Sequence, residues 1–216
     1  MKHYIILLSL ASIAVLNGCK DKEKEESNSQ PDSLEVIVGE VEVEEKASDL
    51  FFSESIISFL NKNNAECSAH IKEGTKAYKH ETRLATGESK AMTETGLVAL
   101  EALDKKITKG EVKDVSVLEN TFLQAERAVV HTIIVKEEEI VVPMDSTSTS
   151  ASTLSNALSH LKNLVGKEKG EAKKTGEKIV LKGDIIEAKI KNEGKVTAKE
   201  LIDFYSSAKS WLATRN

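Results

Sequence analysis

Glu66, Cys67, His70 and Glu73 fall within two turns of one stretch of helical spacing, so a helix would set a thiol, an imidazole and two carboxylates side by side. Thiolate and imidazole suit zinc or copper. Against a metal centre, ligands on one helix seldom complete a coordination shell, and no matching pair stands out elsewhere. The Glu-x-x-His signature that di-iron bundles carry on two helices is missing. The residues three before His70, His80, His131 and His160 are Cys67, Ala77, Ala128 and Ala157. The expectation is therefore structural: Cys67 packs as a small hydrophobe, His70 edges toward solvent, and neither a metal nor a cofactor is called for.

Other chemistries fare no better. Ser159-x-x-Lys162 followed by Lys174-Thr175-Gly176 resembles two motifs of penicillin-binding proteins. The resemblance fails: the two lie too close together, no Ser-Asp-Asn separates them, and the fold that uses them is far larger. His80, His131 and His160 sit isolated beside core positions, and no serine or cysteine nucleophile is marked by a local motif. There is no phosphate-cradling loop, since Gly166-x-x-x-Gly170 lies in a lysine-rich stretch. Trp211 reads as core rather than as a recognition residue. No catalytic residue is expected, and the chain is not read as an enzyme.

The most specific signal is at the start. Lys2 is followed by an apolar run from Tyr4 to Leu16, shorter than the roughly 20 residues that cross a bilayer, and therefore the core of a signal peptide. Leu16-Asn17-Gly18-Cys19 resembles the bacterial lipobox, with Asn17 standing where the usual form has alanine. The resemblance implies cleavage before Cys19, a diacylglyceryl thioether on its sulfur and acylation of the freed amine. One acyl chain anchors only marginally, and several anchor stably. Lys20 to Glu26 (KDKEKEE) further resembles the lysine-and-acid tract that sends many lipoproteins of the Bacteroidetes to the cell surface. The implied location is the outer membrane, lipid-anchored, facing either the periplasm or the cell surface.

Composition narrows the partners. The 216 residues carry 30 Lys and Arg against 35 Asp and Glu, a net charge of −5, which argues against nucleic acid. The membrane, reached through lipid on Cys19, and a protein are the partners this leaves. Aromatics make up 4% and prolines number two, which suits long helices better than a sandwich or barrel. With Cys19 committed to lipid, Cys67 has no intrachain disulfide partner, and burial is its expected state.

These positions rest on a mainly α chain. Residues 1–18 read as the signal, 19–33 as a flexible charged tether, 34–46 as a short strand or linker with one β segment near 34–43, and 47–216 as a bundle of four to six amphipathic helices. Phe52, Ile56, Leu60, Asn63, Cys67, Ile71, Gly74, Ala77, Glu81, Leu84, Glu88, Ala91, Thr95, Val98 and Ala102 form one stripe, greasy at first and then small and mixed. It predicts helices near 49–61, 65–86 and 89–108, separate or fused, with Asn63 capping one, Gly87 able to end one and Gly110 closing the run. Ser116 with Glu119 predicts a capping box for a helix reaching about 131, beyond which 132–142 could be helical or extended. Leu154, Leu158, Leu161, Val165, Glu168, Ala172, Gly176, Ile179, Gly183, Ile186 and Ile190 form a second stripe, interrupted near 167–178 by three glycines. It predicts helices near 152–165 and 177–192. Thr197 with Glu200 then caps a last helix with Leu201, Phe204, Tyr205, Ala208, Trp211 and Leu212 inward. The sequence thus points to a lipid-anchored envelope protein acting as a non-catalytic interaction or structural module. A ligand- or metal-binding bundle of the envelope is the alternative.

Overall fold

The computed structural model describes residues 47–141, 147–194 and 196–214. They form seven helices: α1 (Ala47–Leu60), α2 (Asn64–Glu81), α3 (Gly87–Thr108), α4 (Val115–Val141), α5 (Thr147–Lys167), α6 (Gly170–Glu193) and α7 (Ala198–Ala213). No strand occurs among the described residues, and the chain is a mainly α bundle. The signal, the tether and the segment 34–46 lie outside them. No described helix is long and apolar enough to cross a membrane.

Seven helices appear because the N-terminal ones stay separate. Lys62 turns the chain at a φ of +61°, and Asn63 caps α2 by accepting from the Glu66 amide at 3.2 Å. α2 then stops at Glu81, earlier than the spacing predicts, and the chain tightens into turns in which the Arg83 amide donates to the His80 carbonyl at 3.3 Å and the Ala85 amide to the Thr82 carbonyl at 2.9 Å. Gly87 opens α3 at a φ of +50° instead of closing α2. Gly110, as expected, closes α3.

α4 departs from the predicted capping box. Asp114 accepts from the Ser116 amide at 2.8 Å, and that bond holds its carboxyl below the ordinary range. A carboxylate gains from the positive end of the helix where a hydroxyl does not, so Asp114 displaces Ser116 as cap. The stretch 132–141 is helical. Val130, Ile134 and Glu137 share one buried face, and that packing overrides the β preference of the branched residues. The Thr197–Glu200 box at α7 is formed as expected.

α4 is the hub, packing against α1, α2, α3, α5 and α7, while α5, α6 and α7 also pack on one another in sequence. The second stripe passes into the structure in phase. Leu154, Leu158, Leu161, Val165, Ala172, Ile179, Ile186 and Ile190 are all buried, and only Glu168 and Lys169 interrupt the helix. Gly176 and Gly183 do not break α6; they let it approach. A Cβ on Gly176 would lie 2.5 Å from Val165 Cγ2 and 2.8 Å from Trp211 Cζ2.

The first stripe holds at Phe52 and along α2, where Cys67, Ile71 and Gly74 are buried, but it is lost on α3. α3 buries Ser89, Met92, Thr93, Gly96, Leu100, Leu103 and Ile107, while Val98 is 69% exposed. The turn at residues 82–86 resets the phase, and Gly96 faces Tyr78, whose hydroxyl donates to the Thr93 carbonyl at 3.2 Å. α1 is similarly rotated. It buries Ser48, Phe52, Ser55 and Ser58 and leaves Leu60 outside. Small serines allow α1 to lie close on α2, and Phe52 fills the space over Gly74 and stacks on Phe122 at 4.4 Å between ring centroids.

Candidate functional site

The groups that stand out chemically are polar side chains buried along α4, not those singled out by spacing. His131 is 1% exposed, and its Nδ1 is 2.7 Å from the Ser89 hydroxyl of α3. The neighbouring Glu88 places Oε2 3.7 Å from Nε2, too far for a hydrogen bond, and Nε2 has no hydrogen-bond partner among the described residues. An acceptor-only carboxylate opposite Nε2 favours the tautomer in which Nε2 carries the proton and Ser89 donates to Nδ1. Burial pushes the His131 pKa down, partly opposed by Glu88, so the ring is neutral at neutral pH. Ser89 is itself 1% exposed, so its hydroxyl orients the imidazole from beneath.

Nearer the end of α4, Glu137 accepts from the Asn156 side-chain amide at 2.6 Å. Burial raises its pKa to about 8, against the lowering effect of Asn156 and the Ala157 amide. At neutral pH it is a neutral acid. Its Oε2 and the Tyr205 hydroxyl are both buried without a hydrogen-bond partner among the described residues. Burial, then the nearness of Glu137, pushes the Tyr205 phenol far up. The adjacent Glu138 pairs with Lys209 of α7.

A cavity of about 780 Å³ opens beside His131, between the first turn of α3 and the last turns of α7, lined by Thr86, Glu88, Ser206, Lys209 and Ser210 among others. A second, of about 390 Å³, lies between α1, α4 and α5 against Phe52, Ile56 and Leu123. Its rim carries ion pairs. Lys167 lies 2.8 Å from Glu126 and 3.4 Å from Asp49, and Arg127 lies 2.6 Å from Glu168. Burial alone would lower the Lys167 pKa; Glu126 and Asp49 overcome it and raise it. This seam clamps three helices together.

Of the residues chosen by type and spacing, Cys19 lies outside the described residues. Cys67 is fully buried, and burial, then Asp104, pushes its thiol up to about 11. His70 is partly exposed, 3.1 Å from Glu54 and 3.9 Å from Glu66. Among the described residues, no three His, Cys, Asp or Glu converge as metal ligands. His80 is exposed beside Arg83. Lys162 pairs with Asp184 at 2.7 Å and Lys174 with Glu171 at 2.8 Å, so the penicillin-binding-protein pattern is not assembled. Trp211 is core, its Nε1 donating to the Ala172 carbonyl at 3.1 Å.

His131 is not isolated, and its setting was missed because its partners come from α3 and α7. Glu137 left a readable trace: it stands seven residues after Val130 and three after Ile134, on the apolar face. Compared with family models, curated proteins and solved structures, the chain matches none of them.

Proposed function

We propose that this is a lipid-anchored protein of the bacterial cell envelope, held at the outer membrane through Cys19, whose helical bundle serves as a non-catalytic interaction or structural module. The observation that carries the reading is Leu16-Asn17-Gly18-Cys19 at the end of a short apolar run, followed by a charged strip. An acylated Cys19 would fix one end of the chain at the bilayer, and the polar stretch 20–33 would hold the bundle away from it. The bundle supplies a surface for a protein partner on α1, where Leu50, Ile57 and Leu60 are 49%, 58% and 62% exposed. These three recur at helical spacing, and clustered exposed apolar side chains favour protein contact.

Membrane fractionation of cells expressing the full chain tests the anchor. The wild type is expected in the outer-membrane fraction and Cys19→Ser outside it. A Cys19→Ser chain that still sediments with the outer membrane contradicts the reading. For the module, cross-linking on intact cells is expected to join the chain to a protein through α1, with Ile57→Lys abolishing the adduct. An adduct indifferent to Ile57→Lys counts against that face.

A further inference from the structure

α3 begins without a side-chain cap: Thr86 makes no capping hydrogen bond. A helix start leaves its first amides without intrahelical partners, and here Gly87 and Glu88, the first two residues of α3, line the cavity. α3 is 22 residues long, so these amides also carry the positive end of a full helix dipole. A helix start alone specifies nothing. The second observation is His131, 1% exposed, lining the same cavity, with Nε2 lacking any hydrogen-bond partner among the described residues. A buried imidazole N–H left without a hydrogen bond is disfavoured, so an acceptor entering from the cavity relieves a standing penalty.

The Glu88 carboxylate lies 3.7 Å from Nε2, beyond hydrogen-bond distance, and is 63% exposed, so its side chain can swing aside at small cost. Lys209 adds an ammonium on the α7 wall, shared with Glu138, and Ser206 and Ser210 add hydroxyls. Glu88, Glu138 and the last carbonyls of α7 bear the opposite sign and set an upper limit on affinity.

We propose that the cavity between the start of α3 and the end of α7 binds a small oxyanion, a phosphate or carboxylate group, on the His131 Nε2–H, the first amides of α3 and the Lys209 ammonium. Glu88 acts as a tethered competitor, occupying the approach to Nε2 when the site is empty. The inference is independent of how the chain is anchored.

The test is an NMR titration of the full chain labelled with nitrogen-15 at histidine, following the His131 imidazole against inorganic phosphate and, separately, acetate, with sodium chloride at matched ionic strength as control. A saturable His131 shift with at least one oxyanion and not with chloride is expected, and the more effective anion identifies the ligand group. Glu88→Gln should tighten binding and Lys209→Met weaken it, each by about fivefold, the worth of one exposed charge. Glu88→Gln alters an exposed side chain and should retain the wild-type melting profile, whereas Lys209→Met strands the Glu138 carboxylate and is therefore compared in a Glu138→Gln background, which removes that charge. A His131 signal indifferent to both anions, a shift matched by chloride, or affinities unchanged in both variants would overturn the proposal.

Discussion

Replacing Gly176 by alanine sets helix propensity against packing. On propensity alone, Gly→Ala inside a helix stabilises by about 1 kcal/mol. In this bundle the new Cβ would stand 2.5 Å from Val165 Cγ2 and 2.8 Å from Trp211 Cζ2, both on buried side chains. Overpacking of that kind costs about 1–3 kcal/mol, so the net effect is a loss of about 1 kcal/mol. Gly166, in α5, is the control: nothing lies within 4 Å of its Cβ position, its φ is not positive, and alanine there should stabilise by up to about 1 kcal/mol. Gly170 is a third case, open in space but at a φ of +59°, where alanine costs about 1–2 kcal/mol in backbone strain. Urea unfolding followed by fluorescence of Trp211, the single tryptophan, measures all three, and Trp211 reports directly on the contact at Gly176. The Gly176→Ala and Gly166→Ala variants should differ by about 2 kcal/mol, or roughly 4–8 °C in melting temperature. Equal stabilisation by the two would refute the close approach of α6 to Val165 and Trp211.

Glu137 predicts an alkaline loss of stability. A carboxyl at about 8 in the folded chain and near its ordinary value unfolded keeps its proton on folding, so that stabilisation is complete below about pH 4.5 and fades as pH rises through 8. The difference between wild type and Glu137→Gln should therefore swing by on the order of 4 kcal/mol between pH 5 and 8.5, the Gln variant gaining at the alkaline end; flat difference curves from urea midpoints would contradict it. Arg127→Met strands the Glu168 carboxylate, 3% exposed, and should cost about 3–5 kcal/mol, with most of the loss recovered when Glu168→Met is added. A double variant no better than the single one would remove the ion pair as the cause. Cys67, with its thiol pushed up to about 11, should resist a disulfide reagent at pH 8 in the native protein and react at once in urea; rapid native labelling would contradict its burial.

The fold class and α7 were legible because caps and apolar spacing agreed there: Thr197, Glu200 and the inward face from Leu201 to Leu212 all stand as spacing predicts. The seam from Leu154 to Ile190 was legible for a related reason, since the interruption at Glu168 and Lys169 leaves its phase intact. The stripe through α1 and α3 was not. Serine on the buried face of α1 looks like surface in a sequence, and a turn of a few residues at 82–86 shifts the phase without trace in composition. The His131 site was illegible for a deeper reason. Ser89 lies 42 positions away and Lys209 lies on the last helix, and no local spacing encodes a meeting of α3, α4 and α7. Glu137 could have been found, because a carboxylate in phase with Val130 and Ile134 must be paired, protonated or exposed.

The measurement that bears most directly on the account is the intact mass of the mature protein purified from the membranes of a bacterium with lipoprotein processing. The account predicts a chain beginning at Cys19, heavier than its residues alone by a diacylglyceryl group and an amide-linked acyl chain, with Cys67 as its one free thiol. A chain that keeps residues 1–18, or one that begins at Cys19 without added lipid, would contradict it.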